Sequence, residues 1–335
     1  MEGPTFHIQW HISNRCNLCC IHCYQEQFTS KNELCWKRLQ IICDNLISTM
    51  QRWNKKLSLT LTGGEPFLKS ELWQIIEYLG QSEYIDTVKI ITNGMLIDKY
   101  ISNIVRYPKL KEILVSIDGV TAESNDSIRG VGVFNTVIEN IKLLNSYQVP
   151  ITIMFTLLNH NLQDAYLLFD FAKTLSVDGY IIERFIPLGQ GERLIDEVVP
   201  GEKMDELYQH ISNQCQEIYL SEEMIKYRAM SIKFGKEVEL YGGECIVGRD
   251  GLAILPQGDI LPCRRFNLVI GNGLDESLSE IWANSQILNN LRCKENLKGK
   301  CGVCPITDCY GCRAMTFALT GDYLLEDPHC WLKFE

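Results

Sequence analysis

Three cysteines fall within eight residues, directly after an apolar stretch that is typical of a strand. Cys16, Cys20 and Cys23 form the spacing C-x3-C-x2-C. Iron–sulfur proteins that only transfer electrons use four cysteines for each cluster. Three thiolates would bind three irons of a cubane and leave the fourth iron open to a small molecule. The spacing therefore predicts a cluster that takes part in chemistry.

A structural zinc site or buried packing is the other interpretation of this triplet. Zinc sites usually pair C-x2-C with a second pair of ligands, whereas no fourth ligand stands near these cysteines in the sequence. Cys19 adjoins Cys20 and breaks the spacing, so we expect Cys19 not to be a ligand.

Composition narrows the class of protein. The chain has 335 residues, enough for one large domain and a smaller one, with an ordinary charged fraction of 22%. A net charge of −10 argues against nucleic acid as a partner. Neither a signal peptide nor a long apolar span is present, so we expect no membrane partner and a cytoplasmic protein. Fifteen cysteines in such a chain indicate metal rather than disulfides.

Strand-like and helix-like segments alternate through the first half. The predicted strands cover residues 8–13, 57–62, 87–92, 112–117, 151–156 and 179–186. The predicted helices cover residues 31–52, 70–80, 97–107, 134–147 and 162–175. This alternation predicts an α/β fold with a parallel sheet, organised as a partial (β/α)6 TIM-like barrel. Functional residues of such barrels lie at the C-terminal ends of the strands.

Three regions follow from these patterns. Residues 1–190 are predicted to form the partial barrel, and residues 191–240 a bridging helical segment with a helix at about 202–220. Residues 241–335 are predicted to form a small domain rich in cysteine.

The cysteine triplet, the strand before it and Gly63-Gly64-Glu65-Pro66 together resemble the radical S-adenosylmethionine (SAM) superfamily. The resemblance implies a [4Fe–4S] cluster whose open iron chelates the amino and carboxylate groups of SAM. An electron from the cluster would then cleave the sulfonium to give a 5′-deoxyadenosyl radical, which the protein positions and shields. No catalytic side chain is assigned, because the radical is generated at the cluster.

The resemblance also implies contacts with SAM. They are assigned to Gly63, Gly64, Glu65, Asn93, Ser116, Asp118 and Arg129. Without a Cβ, the two glycines would let the backbone approach a ligand, and the following glutamate would accept from the SAM amino group. Ser116 and Arg129, the latter in a predicted loop at 126–130, would contact the SAM carboxylate. Ordinary turn and helix-cap chemistry is the alternative for Asn93 and Asp118.

The C-terminal cysteines resemble the SPASM extension, which holds two auxiliary iron–sulfur clusters. The resemblance assigns one cluster to Cys245, Cys263 and Cys312 and the other to Cys301, Cys304, Cys309 and Cys330. The middle segment is C-x2-C-x4-C-x2-C, shorter than the family's usual C-x2-C-x5-C-x3-C, and similar to the branch that includes haem-pathway enzymes. This departure affects the assignment of Cys309 most. Zinc-ribbon sites are the competing interpretation.

Three functions compete. The leading hypothesis is a maturase that modifies a residue of a ribosomally made peptide or protein. With the first strand beginning by residue 8, leader recognition would need a separate leader-binding protein or the barrel itself. The second is a cofactor enzyme, such as one that oxidatively decarboxylates a tetrapyrrole propionate. The third is an iron–sulfur electron-transfer protein. Both enzymatic hypotheses require a flavodoxin- or ferredoxin-type reductant.

Overall fold

Strands and helices alternate from residue 5 to residue 184 of the computed structural model, which describes residues 5–217 and 220–332. The strands of this part are β1 (Thr5–His11), β2 (Lys56–Thr62), β3 (Ile85–Thr92), β4 (Leu110–Ser116), β5 (Ile151–Leu157) and β6 (Gly179–Arg184). Its helices are α1 (Trp36–Trp53), α2 (Leu72–Gly80), α3 (Ile97–Ile104), α4 (Ala122–Arg129), α5 (Val133–Ser146) and α6 (Leu162–Thr174). Every strand and helix predicted for this part is confirmed, with ends that differ by a few residues.

Shorter elements make up the remainder. They are α7 (Gly201–Gln214), α8 (Ser221–Met224), β7 (Tyr227–Phe234), β8 (Val238–Glu244), β9 (Gly251–Ile254), β10 (Asp259–Leu261), β11 (Gly271–Asn272), α9 (Leu278–Asn284), α10 (Gln286–Arg292), α11 (Lys300–Val303) and α12 (Arg313–Thr320). In the part of the chain that the structure describes, no helix is both long enough and apolar enough to cross a bilayer.

The described residues belong to two compact units. The first comprises Met1–Asn17, Gln27–Leu114 and Ile246–Arg292, and the second comprises Leu18–Glu26, Val115–Cys245 and Cys293–Glu335. The three predicted regions, 1–190, 191–240 and 241–335, do not coincide with these two units. The division into those regions stays a prediction.

The sheet is built mainly from parallel strands. In the first unit the order is β11-β10-β9-β1-β2-β3, where β9, β1, β2 and β3 run parallel and β10 and β11 antiparallel. In the second unit the order is β5-β6-β7-β8, in which β5 and β6 are parallel and the last two strands form an antiparallel hairpin. Among the described residues the sheet is not closed, which agrees with the predicted partial barrel. The α/β fold class is confirmed.

Two sequence predictions of local structure are wrong. Residues 126–129 are not a loop but the end of α4, which Thr121 and Ser124 stabilise through a capping box. This helix has few apolar residues, so its periodicity is weak. The predicted bridging segment is helical only in part, because β7 follows α8 there. Met230 and Ile232 are buried and alternate with polar neighbours, the period of a strand. Residues 218–219 of the predicted helix lie outside the described residues.

Two glycines hold the start of the cysteine loop against the end of β2. A Cβ built on Gly63 would lie 2.5 Å from the backbone oxygen of Ser13, and one on Gly64 would lie 2.4 Å from that of Arg15. These distances are far below van der Waals contact, and a backbone atom cannot rotate away. The glycines are therefore required by a close approach of two backbone segments of this chain, a role that the sequence did not indicate.

We expect Gly64→Ala to lower the free energy of unfolding by about 1–3 kcal/mol or more, because the new methyl group would displace the backbone before Cys16. Gly80→Ala is the matched control. A Cβ there would lie 3.7 Å from its nearest neighbour, Lys109 Cγ, at the end of a helix, so its stability should be unchanged or slightly higher. Anaerobic chemical denaturation measures both. Equal effects of the two substitutions would contradict the packing role of Gly64.

Candidate functional site

Backbone hydrogen bonds in the first unit fix the chain that leads into the cysteine triplet. The N–H of Gly64 donates to the carbonyl of Ser13 at 2.8 Å, and the N–H of Glu65 donates to the carbonyl of Arg15 at 2.7 Å. Cys16 follows directly, so its position depends on the turn after β2.

Glu65 is fully buried and orders the turn after β3. Its carboxylate accepts from the backbone N–H of Phe67 at 3.1 Å, from the hydroxyl of Thr92 at 2.9 Å and from the backbone N–H of Asn93 at 2.9 Å. Burial raises the pKa of Glu65 to about 7, against the opposing effect of these hydrogen bonds. The contact of Glu65 with the SAM amino group stays a prediction.

Asn93 connects this turn to the first cysteine. Its side-chain amide donates to Asn17 Oδ1 at 2.8 Å and lies 3.7 Å from Cys16 Sγ. Of the predicted SAM residues, Glu65 and Asn93 thus form one hydrogen-bonded group with Cys16. Gly63 and Gly64 pack against Ser13 and Arg15, just before that cysteine.

In the second unit, the buried carboxylate of Asp118 collects three partners. It lies 2.6 Å from Arg129 Nη2 and 3.0 Å from His22 Nε2, and it accepts from the backbone N–H of Thr156 at 2.7 Å. Burial opposes ionisation, but the charges of Arg129 and His22 lower the pKa of Asp118. Turn chemistry alone does not describe Asp118, because it anchors a residue of the cysteine loop.

Arg129, at the end of α4, is buried beside the other two cysteines. Its carbonyl lies 4.0 Å from Cys20 Sγ, and the carbonyl of the preceding Ile128 accepts from the N–H of Ile21 at 3.0 Å. Burial opposes its charge, whereas Asp118, Cys20 and Cys23 raise the pKa of Arg129. Its buried Nε has no hydrogen-bond partner among the residues that the structure describes, which suits an anionic ligand such as a carboxylate. Ser116 is the last residue of β4 and also belongs to the second unit.

A loop after β6 also contacts the part of the cysteine segment that lies in the second unit. The N–H of Gln190 donates to the carbonyl of Gln25 at 3.1 Å, and that of Gly191 donates to the carbonyl of Cys23 at 3.0 Å. Gly189 has φ of +59°, and a Cβ there would lie 2.5 Å from the backbone of Tyr24. Glycine suits this position because it adopts a positive φ readily and has no Cβ to clash with Tyr24.

Four C-terminal cysteines line one small cavity in the second unit. They are Cys301, Cys304, Cys309 and Cys330. Arg228 Nη2 donates to Cys309 Sγ at 3.2 Å, and Arg313 Nη2 donates to Cys301 Sγ at 3.4 Å. The backbone N–H of Asp327 also donates to Cys301 Sγ, at 3.3 Å. Such donors stabilise thiolates, so this cavity fits the iron–sulfur cluster to which the sequence assigned the same four residues.

The second predicted set is divided between the units. Cys245 and Cys312 lie in the second unit, and Cys263 follows β10 in the first, so their grouping stays a prediction. Within residues 5–217 and 220–332, no three Cys, His, Asp or Glu side chains are grouped as they would be around a single metal ion.

Sequence reasoning missed the charged partners of these cysteines. His22 lies inside the triplet, so its position was a usable signal. Arg228, Arg313 and Asp327 belong to no motif that the sequence analysis used, and they reach the cysteines only through tertiary contacts.

Comparison with known proteins decides the family. Residues 10–172 match the model of the radical SAM superfamily, and residues 245–310 match that of SPASM, an iron–sulfur cluster-binding domain. The AdoMet-dependent heme synthase of Methanosarcina barkeri is 32% identical over 345 residues, covering 96% of this chain and 95% of that protein. This chain belongs to the radical SAM superfamily. It is therefore an AdoMet-dependent, oxidoreductase-type enzyme with a [4Fe–4S] cluster, and the electron-carrier alternative is excluded.

Two further similarities widen the range of relatives. The mycofactocin maturase MftC of Mycobacterium tuberculosis is 26% identical, covering 96% of this chain and 82% of that protein. The fold is similar to that of Streptococcus suis SuiB bound to its precursor peptide SuiA, with a TM-score of 0.72 at 17% identity, covering 99% of this chain and 77% of that one. Relatives of this radical SAM enzyme thus include both a heme synthase and a mycofactocin maturase.

The buried Glu65 carboxyl gives a pH-dependent stability that can be measured. Folding raises its pKa from 4.5 to about 7, so the native state holds this proton more tightly than the unfolded chain does. The stabilisation is complete below the unfolded pKa and is lost as the pH rises through the folded one. Relative to Glu65→Gln, the wild type should lose about 3 kcal/mol across this window and change little above it. Parallel anaerobic denaturation midpoints for the two proteins would contradict the shift.

Proposed function

We propose that Cys16, Cys20 and Cys23 hold the [4Fe–4S] cluster at which SAM is cleaved. The C-x3-C-x2-C spacing supports this assignment, as do the donor near Cys16 and the buried positive charge beside Cys20. We further propose that the seven residues assigned by resemblance contact SAM. Arg129 Nε, which has no partner among the described residues, would donate to the SAM carboxylate.

The reaction balances as follows. One electron from a flavodoxin- or ferredoxin-type protein cleaves the sulfonium carbon–sulfur bond, giving methionine and a 5′-deoxyadenosyl radical. That radical takes a hydrogen atom from a substrate carbon, giving 5′-deoxyadenosine and a substrate radical. The chain's own residues bind SAM, hold the cysteine loop and shield the radical. Buried groups such as Asp118 and Glu65 help to hold the cysteine loop in place.

The single observation that carries this proposal is the C-x3-C-x2-C triplet, whose first cysteine follows backbone that the turn after β2 fixes. Changing Cys16, Cys20 and Cys23 together to Ala should abolish 5′-deoxyadenosine formation by the reduced, anaerobic protein, because no thiolate ligand is left. Cys19→Ala is the control, since Cys19 is exposed and its sulfur contacts the side chain of Gln190. It should keep the activity. SAM cleavage by the triple variant would overturn the assignment.

Two substrate classes have support. A residue of a ribosomally made peptide or protein is supported by the 26% identity to a mycofactocin maturase, and such a substrate would come with or without a separate leader-binding protein. A tetrapyrrole propionate is supported by the 32% identity to a heme synthase and by the short C-terminal cysteine spacing. Both classes need hydrogen abstraction at an unactivated carbon, which is the reaction that the proposed cluster serves.

Deuterium transfer separates the two classes. The purified enzyme is supplied with SAM, a reductant and one candidate substrate, either an iron coproporphyrin deuterated in its propionates or a deuterated peptide encoded beside the enzyme's gene. We expect deuterium in 5′-deoxyadenosine, measured by mass spectrometry, with only one of the two. Label from the porphyrin excludes the peptide as the natural substrate class, and label from the peptide alone excludes the tetrapyrrole.

A further inference from the structure

Arg228 on β7, whose side chain is 12% exposed, contacts the C-terminal cysteines without belonging to any cysteine motif. Arg228 lines the cavity of the four cysteines, and its Nη2 donates to Cys309 Sγ at 3.2 Å. Its Nη1 lies 3.4 Å from Asp327 Oδ2, and the carboxylate of that pair is almost completely buried. A charge held this far from water acts strongly on its neighbours.

The field of Arg228 also reaches cysteines of the other predicted set. Burial opposes its charge, but Asp327, Cys309, Cys312 and Cys245 raise the pKa of Arg228. Asp327 is a second connection, because its Oδ2 accepts from the backbone N–H of Cys312 at 2.6 Å. One ion pair therefore lies beside the sulfur of Cys309 and the backbone of Cys312, two residues assigned to different clusters.

We propose that Arg228 is a positioning residue for electron transfer, whose fixed positive charge raises the reduction potentials of both auxiliary clusters together. The inference rests on the proposed assignment of Cys245 and Cys312 to one cluster and of Cys309 to the other. Asp327 holds the guanidinium in place and offsets part of its charge.

The physical reason is the charge added on reduction. Each cluster becomes more negative by one unit when it accepts an electron, and a cation at hydrogen-bond distance from its thiolate stabilises that state. In turnover the substrate radical would lose one electron to an oxidised auxiliary cluster. The electron would then pass to the oxidised flavodoxin- or ferredoxin-type protein. A cluster with a higher potential accepts the first electron more readily.

Arg313 provides a matched comparison. It is buried, and its Nη2 donates to Cys301 Sγ at 3.4 Å, but its Nη1 donates to the carbonyls of Tyr323 and Leu325. Its guanidinium thus donates to a cysteine of one predicted set and to backbone carbonyls. Removing its charge should therefore affect mainly one cluster.

The test is a potentiometric titration of the reconstituted full-length protein, followed by electron paramagnetic resonance. The auxiliary signals are those that persist when Cys16, Cys20 and Cys23 are changed to Ala. In Arg228→Gln we expect both auxiliary potentials to fall, with at least a tenfold change in the oxidised-to-reduced ratio at a fixed poise, which is about 59 mV for one electron. Arg313→Gln should lower one potential only.

Two further variants separate charge from folding. Arg228→Lys keeps the charge and should keep both potentials near those of the wild type, whether or not Arg228→Gln folds. Asp327→Asn removes the opposing charge and should raise both potentials, whereas Arg228→Gln should lower them. A loss of structure would not produce shifts of opposite sign.

Each outcome has a defined meaning. Iron in the C-terminal region with potentials that Arg228→Gln leaves unchanged, or a shift of one cluster only, would overturn the role of Arg228 and leave the cluster assignment standing. Potentials that fall in Arg228→Lys as far as in Arg228→Gln would also overturn it. Zinc in place of that iron, found by metal analysis, would overturn the cluster assignment and this inference with it.

Discussion

The close backbone contact between the end of β2 and the start of the cysteine loop is the constraint on which the site depends. Gly63 and Gly64 lie so near Ser13 and Arg15 that no Cβ fits, and two backbone hydrogen bonds lock the segments together. A flexible loop with three thiolates would bind metals without selecting a geometry. Because this contact fixes the residue before Cys16, the proposed first ligand is placed before any cluster is bound, which would lower the entropic cost of assembling the site.

Buried charges perform the same task around the other cysteines. Asp118 joins Arg129 to His22, a member of the cysteine loop, and Asp327 joins Arg228 to the backbone of Cys312. In both places a carboxylate is buried despite its desolvation cost and holds an arginine near cysteines. Cluster-binding thiolates are negative, so a cation at each group offsets charge that the protein interior would otherwise disfavour. These pairs combine structural and electrostatic roles.

The sequence predicted what depends on local pattern. Strands such as β2 alternate between buried and less buried residues, which is a local pattern. The cysteine triplet and Gly63-Gly64-Glu65 are short contiguous motifs, so the sequence alone indicates their chemistry. It did not predict the reason for the glycines, since that depends on a backbone segment about fifty residues earlier in the sequence. Nor did it predict α4, whose stability comes from a cap rather than from apolar periodicity, or Arg228, which contacts a cysteine 81 positions away. Long-range pairs of this kind leave no mark in one sequence.

Electron–nuclear double resonance of the reduced protein with isotopically labelled SAM tests most directly whether the Cys16, Cys20 and Cys23 cluster binds SAM at an open iron. With magnetic isotopes of nitrogen in the amino group and of oxygen in the carboxylate, we expect hyperfine coupling of both to the cluster spin in the wild type. The variant with all three cysteines changed to Ala should show neither coupling. Couplings that persist in that variant, or a wild type with a full complement of iron and no coupling to either label, would contradict the assignment.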